Sequence, residues 1–209
     1  IFLFFYLSLS WLFLRAGQAK AATLLVSDGV EYGADYGYGG GSWGSMSTIL
    51  NSAFGGSGNV TVVANFESAT LTNYDALWVD LRGLNITSPN TLSANEISKI
   101  QAFISAGKRV VMIGENSSWS IWDNSILSVV GGSSSGSGGN SQNTVYSHAL
   151  TTSVTAVAPA ATGLAIGGTA LFIENFATLW GASNNVLTVL DINMWSDSTI
   201  GSSGNTQFA

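Results

Sequence analysis

Cysteine is absent from this chain of 209 residues, and histidine occurs once, at His148. No disulfide can support the fold, so its stability must come from the hydrophobic core. The absence of a thiol also excludes every mechanism that uses a cysteine nucleophile. A serine triad would have to take His148 as its base, and the sequence around Ser117 and Ser118 lacks the Gly-x-Ser-x-Gly turn that such a nucleophile needs.

Charged side chains are also scarce, and cations are the scarcer kind. Only 9% of the residues are charged whereas 46% are hydrophobic, which predicts a large core beneath a surface of Ser, Thr, Asn and Gly. Six Lys and Arg residues face twelve Asp and Glu residues, giving a formal net charge of -6. A protein that binds a phosphate backbone needs the opposite sign, so we expect no nucleic-acid partner.

An apolar run at residues 1–14 is followed by Arg15 and by the small-residue pattern Ala19-Lys20-Ala21. This arrangement predicts a secretory signal peptide over residues 1–21 whose own start is missing. The run is shorter than the roughly 20 residues that span a bilayer, although a retained N-terminal anchor helix is the alternative interpretation. We expect residues 22–209 to form a single α/β domain whose C-terminal helix is truncated.

One stretch of the sequence predicts its structure most clearly. Ser93 and Glu96 have the spacing of a capping box, which starts a helix, and Gly107 supplies the left-handed position that ends it. The β-branched run at 109–113 then predicts a strand buried on both faces of a parallel sheet.

The same reasoning places further elements along the chain. Strands are predicted at residues 23–27, 60–64, 76–79 and 187–193, and helices at residues 45–54 and 119–130. Alternating strands and helices specify a mainly parallel sheet covered on both faces, hence a three-layer flavodoxin-like domain. Residues 131–143 predict a flexible loop, and residues 154–172 predict a short antiparallel β extension.

Several of these segments resemble a known family. The segments are Asp28-Gly29, the YDALWV run at 74–79, Leu92-Ser93 before the helix, and GKRV at 107–110 leading to Ile113-Gly114-Glu115. Together they resemble the glutamine-amidotransferase-like fold, which includes the trehalose-utilisation-type proteins. More narrowly, IGENSSW at 113–119, VLDINMWSDS at 189–198 and GNTQFA at 204–209 resemble secreted bacterial proteins that carry a PEP-CTERM sorting tail.

The resemblance implies a protein that is secreted or held at the surface of a bacterium, within an exopolysaccharide matrix. A sorting tail and a further helix would then follow Ala209, and only such a tail would place this protein in a membrane after export. Catalytic members present a cysteine after the strand at 109–113, where this chain has Gly114-Glu115-Asn116. The resemblance therefore implies a domain without thiol chemistry.

Acidic and polar side chains follow the predicted strands, and the carboxyl ends of parallel strands share one edge of a sheet. The candidate binding residues of this kind are Asp28, Asp80, Arg82, Glu115, Asn116, Asp191 and Asn193. Glu115 is either a general base or ligand contact, or a group that accepts amides in its own turn. Converging carboxylates suit calcium, but the segment at 191–197 lacks the spacing of an EF-hand loop, and we predict no metal and no cofactor.

Aromatic residues cluster in the first loop and near other strand ends. They are Tyr32, Tyr36, Tyr38, Trp43, Trp119, Trp122 and Trp195. If they are exposed on one edge, they form a stacking platform for sugars or a protein contact surface; alternatively, the tryptophans cover the ends of the core. The glycine-rich stretch at 39–44 precedes a helix but matches no phosphate-binding motif, which favours a flexible loop.

The preferred function is that of a non-catalytic extracellular or envelope-associated domain that binds a glycan or a protein partner. The alternative is a hydrolase of sugars or esters that uses Glu115 with the strand-end aspartates. Convergence of Glu115, Asp28 and Asp191 around a pocket would favour the enzyme.

Overall fold

The structure, a computed structural model, describes residues 21–27, 35–82 and 91–209. Almost all of the predicted signal peptide lies outside these residues, as do Asp28 and Tyr32. Within the described residues, no helix is both long and apolar enough to cross a membrane.

Eleven strands occur in the described part of the chain. They are β1 (Leu24–Ser27), β2 (Val60–Val63), β3 (Ala76–Val79), β4 (Arg109–Gly114), β5 (Ser133–Ser137), β6 (Gln142–Asn143), β7 (Ala156–Val157), β8 (Gly163–Ile166), β9 (Thr169–Ala170), β10 (Ala177–Trp180) and β11 (Val186–Leu190). Seven of them form the main sheet in the order β2-β1-β3-β4-β11-β10-β9. The first five are mutually parallel, and β10 runs antiparallel to both β11 and β9.

The parallel strands consist of short β-branched and aliphatic runs. Every residue of β1 and of β11 is buried, as expected for strands covered on both faces of a sheet. The predicted α/β class with a mainly parallel sheet is therefore confirmed. The edge strand β2 is different, because Thr61 and Val62 are exposed to solvent.

The described residues also form four α-helices: α1 (Gly44–Ala53), α2 (Ala94–Ser105), α3 (Ser120–Ser128) and α4 (Asn205–Phe208). The predicted capping box is present, since Ser93 Oγ accepts from Glu96 N at 3.1 Å and Glu96 Oε2 accepts from Ser93 N at 3.1 Å. Gly107 has φ +77° just after α2, the left-handed conformation that ends the helix.

Residues 131–143 are not the predicted loop. They include β5, which pairs antiparallel with β8, and β6, which pairs antiparallel with β7. Glycine is needed at one position here for close packing, since an added Cβ at Gly132 would overlap the ring of Trp180. These two small sheets confirm the antiparallel extension that residues 154–172 predicted.

Candidate functional site at the carboxyl edge of the sheet

Three of the predicted acids follow neighbouring strands of the sheet. Asp80 follows β3, Glu115 follows β4 and Asp191 follows β11, so all three lie at the carboxyl edge. The fourth acid, Asp28, lies outside the described residues. All three described carboxylates are buried, a feature that their positions in the sequence did not predict.

Glu115 lies at the centre of this edge and accepts hydrogen bonds on both carboxylate oxygens. Oε1 accepts from the backbone N and Nδ2 of Asn116 at 3.1 and 3.0 Å. Oε2 accepts from the backbone N of Ile192 at 3.2 Å and from Asn193 Nδ2 at 3.3 Å. The structure thus brings together three predicted site residues, Glu115, Asn116 and Asn193, and joins the end of β4 to the turn after β11.

Asp191 holds two backbone segments together. Oδ2 accepts from the amides of Ala160 and Ala161 at 2.6 and 3.2 Å, and Oδ1 accepts from Met194 N at 3.1 Å. The last contact caps the 3-10 helix Ile192–Trp195. The acid is therefore a structural connection between the antiparallel extension and the sheet.

A further buried acid in this region, Asp123 on α3, was not predicted from the sequence. Its Oδ1 accepts from Glu115 N at 3.0 Å, and its buried Oδ2 has no hydrogen-bond partner in the structure. Asp123 lies on the same helical face as the buried Ile126 and Leu127. A carboxylate within that apolar stripe was the signal that could have identified it.

The pKa values of these acids follow from their surroundings. Burial, and next the charge of Asp191, raise the pKa of Glu115 to about 8, although the amides of Asn116 and Ile192 act in the other direction. Burial raises the pKa of Asp191 to about 6, although four backbone N–H donors act to lower it. Burial also raises the pKa of Asp123 well above its usual range. Glu115 therefore favours its neutral form at neutral pH, next to a more acidic partner.

Arg82 does not contact these acids and is not an open ligand contact. Its Nη1 and Nη2 donate to Glu96 Oε2 and Oε1 at 3.0 and 2.7 Å, and its guanidinium carbon lies 5.8 Å from the ring centroid of Trp122. This planar two-bond pairing directs the cation to the start of α2. The candidate role of Arg82 in binding is replaced by a structural one.

Asp80 likewise fixes the first loop onto the sheet. Its Oδ2 accepts from Tyr38 N at 2.8 Å, and its Oδ1 accepts from Leu81 N at 3.1 Å. Gly37, at φ +96°, approaches so closely that an added Cβ would lie 2.6 Å from Asp80 Oδ2. Burial and these contacts leave Asp80 with a structural role at the end of β3.

The tryptophans do not form an exposed platform. Trp43, Trp122 and Trp195 are buried, so of the two alternatives that the sequence left open, coverage of the end of the core describes them. Trp43 and Trp195 pack edge to face with centroids 6.4 Å apart, and Trp43 Nε1 donates to the carbonyl of Ile192 at 3.1 Å. Three other candidates are half-buried: Tyr36, Tyr38 and Trp119.

The remaining motifs are also occupied by internal contacts. His148 Nδ1 accepts from Leu150 N at 3.2 Å, and the imidazole stacks on Tyr146 with ring centroids 6.2 Å apart. At the start of α1, Asp197 already accepts from Gly44 N and Ser45 N at 3.1 and 2.8 Å, so a carboxylate of the chain takes the place a phosphate would need. Among the described residues, no group of three or more His, Cys, Asp or Glu side chains is arranged to hold a metal ion.

Comparison with known proteins shows a similarity of fold. No family model matches the sequence, and no curated protein matches it. A solved structure described as "mmIFT52 N-terminal domain" has a TM-score of 0.63 and 11% identity, over 88% of this chain and 92% of that chain. At this level of identity the similarity concerns the fold alone.

Proposed function

We propose that the domain has the three-layer flavodoxin-like and amidotransferase-like architecture. The order of its five parallel strands, β2-β1-β3-β4-β11, supports this, because it is the 2-1-3-4-5 order of flavodoxin-like sheets. The resemblance to glutamine-amidotransferase-like proteins agrees with that order. Export through a signal peptide and a place at the surface or in the extracellular matrix of a bacterium belong to the same proposal.

Within this architecture, we propose a non-catalytic domain that binds a protein partner through its antiparallel extension. The observation that carries the proposal is a pair of exposed β-branched residues, Val145 and Ile173, whose exposed fractions are 55% and 64%. Apolar side chains exposed together on one face are typical of protein contact surfaces.

The backbone contacts place these two residues on the same face. Thr144 and Phe172 form an antiparallel bridge, with Val145 N donating to the Leu171 carbonyl at 2.9 Å and Ile173 N donating to the Asn143 carbonyl at 2.9 Å. Phe172 is buried, and side chains alternate along a strand, so Val145 and Ile173 project to the opposite face. We name this pair the extension face.

A protein partner is favoured over a glycan because the tryptophans that would stack on sugars are buried. Trp43, Trp122 and Trp195 support the core, and the first loop contributes half-buried tyrosines instead. The buried and hydrogen-bonded Glu115 and Asp191 likewise favour a role without catalysis, since a general base must reach the proton that it removes.

Site-specific photo-crosslinking in the producing bacterium tests the extension face. A photoreactive amino acid replaces Ile173 in one strain and Val62 in a control strain. Val62 is also exposed, at 43%, but it lies on β2 at the other end of the main sheet. We expect a discrete protein adduct from position 173 and none from position 62. Equal adducts at both positions, or none at position 173, would overturn the proposal.

The alternative is a hydrolase of sugars or esters, and the pair of Glu115 and Asp191 favours it. Two neighbouring carboxyl groups with pKa values of about 8 and about 6 are the kind of pair that divides acid and base roles. Glycoside and ester substrates offered to the whole chain test this reading, with Glu115→Gln as the inactivating variant and Glu174→Gln as its matched control. Turnover that only Glu115→Gln abolishes would establish the hydrolase and remove the non-catalytic proposal.

A further inference from the structure

A cavity of about 430 Å³ lies away from the buried acids, between α2 and residues 68–72. Its volume falls in the range of about 300–1,000 Å³ that is usual for small-molecule sites. Apolar side chains and two lysines line most of it: Leu71, Lys99, Ala102, Phe103, Ala106 and Lys108. None of the described residues that line it is acidic, so the cavity is apolar with a positive potential.

Lys99 uses its ammonium group within the protein. Its Nζ donates to the carbonyls of Phe66 and Ala69 at 3.0 and 3.2 Å and also to the carbonyl of Glu67. These three contacts account for all three N–H donors of a lysine. Lys99 therefore contributes positive charge to the cavity but has no donor left for a ligand.

Lys108 makes fewer internal hydrogen bonds than Lys99 does. Its Nζ donates to the Thr72 carbonyl at 3.0 Å and to the Tyr74 carbonyl, and it lies 5.1 Å from the ring centroid of Phe103. The contacts within the described chain thus occupy two of its three N–H groups. The third can donate to an anion while the aromatic wall contacts the rest of the same molecule.

We propose that this cavity binds a small apolar monocarboxylate, with its head group on Lys108 and its tail against Phe103 and Leu71. A single free ammonium donor suits a compact head group of charge minus one, and the walls suit a hydrocarbon tail. The site is independent of the extension face and of the acids at the carboxyl edge. It adds a ligand class to a chain whose other described cations are either paired or exposed.

Titration of the whole chain with octanoate, followed by two-dimensional amide NMR, tests the proposal. We expect saturable shifts at the amides of Thr72, Ala102 and Ala106, and at least about tenfold weaker binding of acetate and of octanol, because each lacks one half of the interaction. Shifts confined to other regions, or equal affinity for octanol, would overturn the assignment.

Two variants separate the ligand contacts from the fold. Lys108→Met removes the charge and keeps the length of the side chain, and we expect at least about tenfold weaker binding. Ala102→Trp fills the cavity from the exposed side of α2 without breaking a hydrogen bond, and we expect it to abolish binding. Arg109→Met, the control, removes an exposed cation next to the site and should change nothing. Octanoate affinity that is unchanged in Ala102→Trp would refute the site even if Lys108→Met does not fold.

Discussion

Two glutamates, Glu96 and Glu115, are buried to nearly the same extent, at 2% and 0% exposure, yet they differ in charge state. Each accepts two backbone amides: Glu96 from Phe66 and Ser93, and Glu115 from Asn116 and Ile192. Burial alone would raise the pKa of both. For Glu96, the hydrogen bonds and charge of Arg82 together with the amides of Phe66 and Ser93 outweigh burial, so its pKa is lowered. For Glu115, burial and next the charge of Asp191 raise the pKa to about 8.

The comparison shows that the partners of a buried carboxyl group decide whether the effect of burial is overcome or reinforced. A charge-assisted pair with arginine retains the carboxylate, and an acidic neighbour favours the proton. The two sites should therefore respond to pH in opposite directions. Removing Arg82, the partner of Glu96, should make Glu96 respond to pH as Glu115 does.

The largest expected effect is on the pH dependence of the free energy of unfolding. The pKa of Glu115 rises from 4.5 to about 8 on folding, so the folded chain holds a proton that the unfolded chain has lost. The contribution of Glu115 to the free energy of unfolding is present below about pH 4.5 and is lost as the pH rises to about 8. The loss is about 5 kcal/mol at most, since one pKa unit corresponds to about 1.4 kcal/mol. Urea unfolding from pH 4 to pH 9 measures this fall. Glu115→Gln should make it smaller and leave the part that the raised pKa values of Asp191 and Asp123 contribute.

Glu96→Gln provides the matched control for this measurement. The lowered pKa of Glu96 contributes stability that is present above its ordinary value of 4.5 and is lost as the pH falls below it. Its replacement should change the acid limb of the profile and leave the decline between about pH 4.5 and about 8 in place. A decline of unchanged size in Glu115→Gln would mean that Glu115 does not carry the alkaline dependence.

The second largest effect on the free energy of unfolding comes from removing Arg82, the cation that pairs with Glu96. Arg82→Met leaves the buried Glu96 carboxylate without its partner, and breaking such a pair costs about 3 kcal/mol. The pKa of Glu96 should then rise. The free energy of unfolding of the variant should therefore fall as the pH increases, as it does because of Glu115. Arg109→Met removes an exposed cation and should stay within about 0.5 kcal/mol of the parent chain. Equal effects of the two substitutions would contradict the role given to Arg82.

Local signals in the sequence predicted much of the fold. The capping box at Ser93 and Glu96 and the glycine at 107 located α2 because caps depend on neighbouring residues alone. The continuous apolar run of β4 indicated its burial for the same reason. By contrast, β5 consists of serine and glycine, which have little strand propensity, and it is a strand because β8 pairs with it.

The site was less predictable because its properties arise from contacts between distant segments. Strand ends correctly placed Asp80, Glu115 and Asp191 at one edge, but nothing in the local sequence indicated that all three are buried. The pairing of Arg82 with Glu96 joins two residues 14 positions apart in the chain, and no local pattern indicates it. The buried tryptophans show the same limit, since the composition of a loop does not specify whether its aromatic residues face the solvent or the core.

The smallest effect separates the cap of Glu96 from its charge. Ser93→Ala removes the hydroxyl that accepts from Glu96 N, which should lower the free energy of unfolding by about 1 kcal/mol. The Ser93 amide and Arg82 still donate to the carboxylate, so the pKa of Glu96 should remain low and the pH profile should keep its shape. Urea unfolding at several pH values checks both points, with Ser118→Ala on an exposed residue as the control. An altered pH profile in Ser93→Ala would show that the cap, and not only the guanidinium, keeps this buried carboxylate ionised.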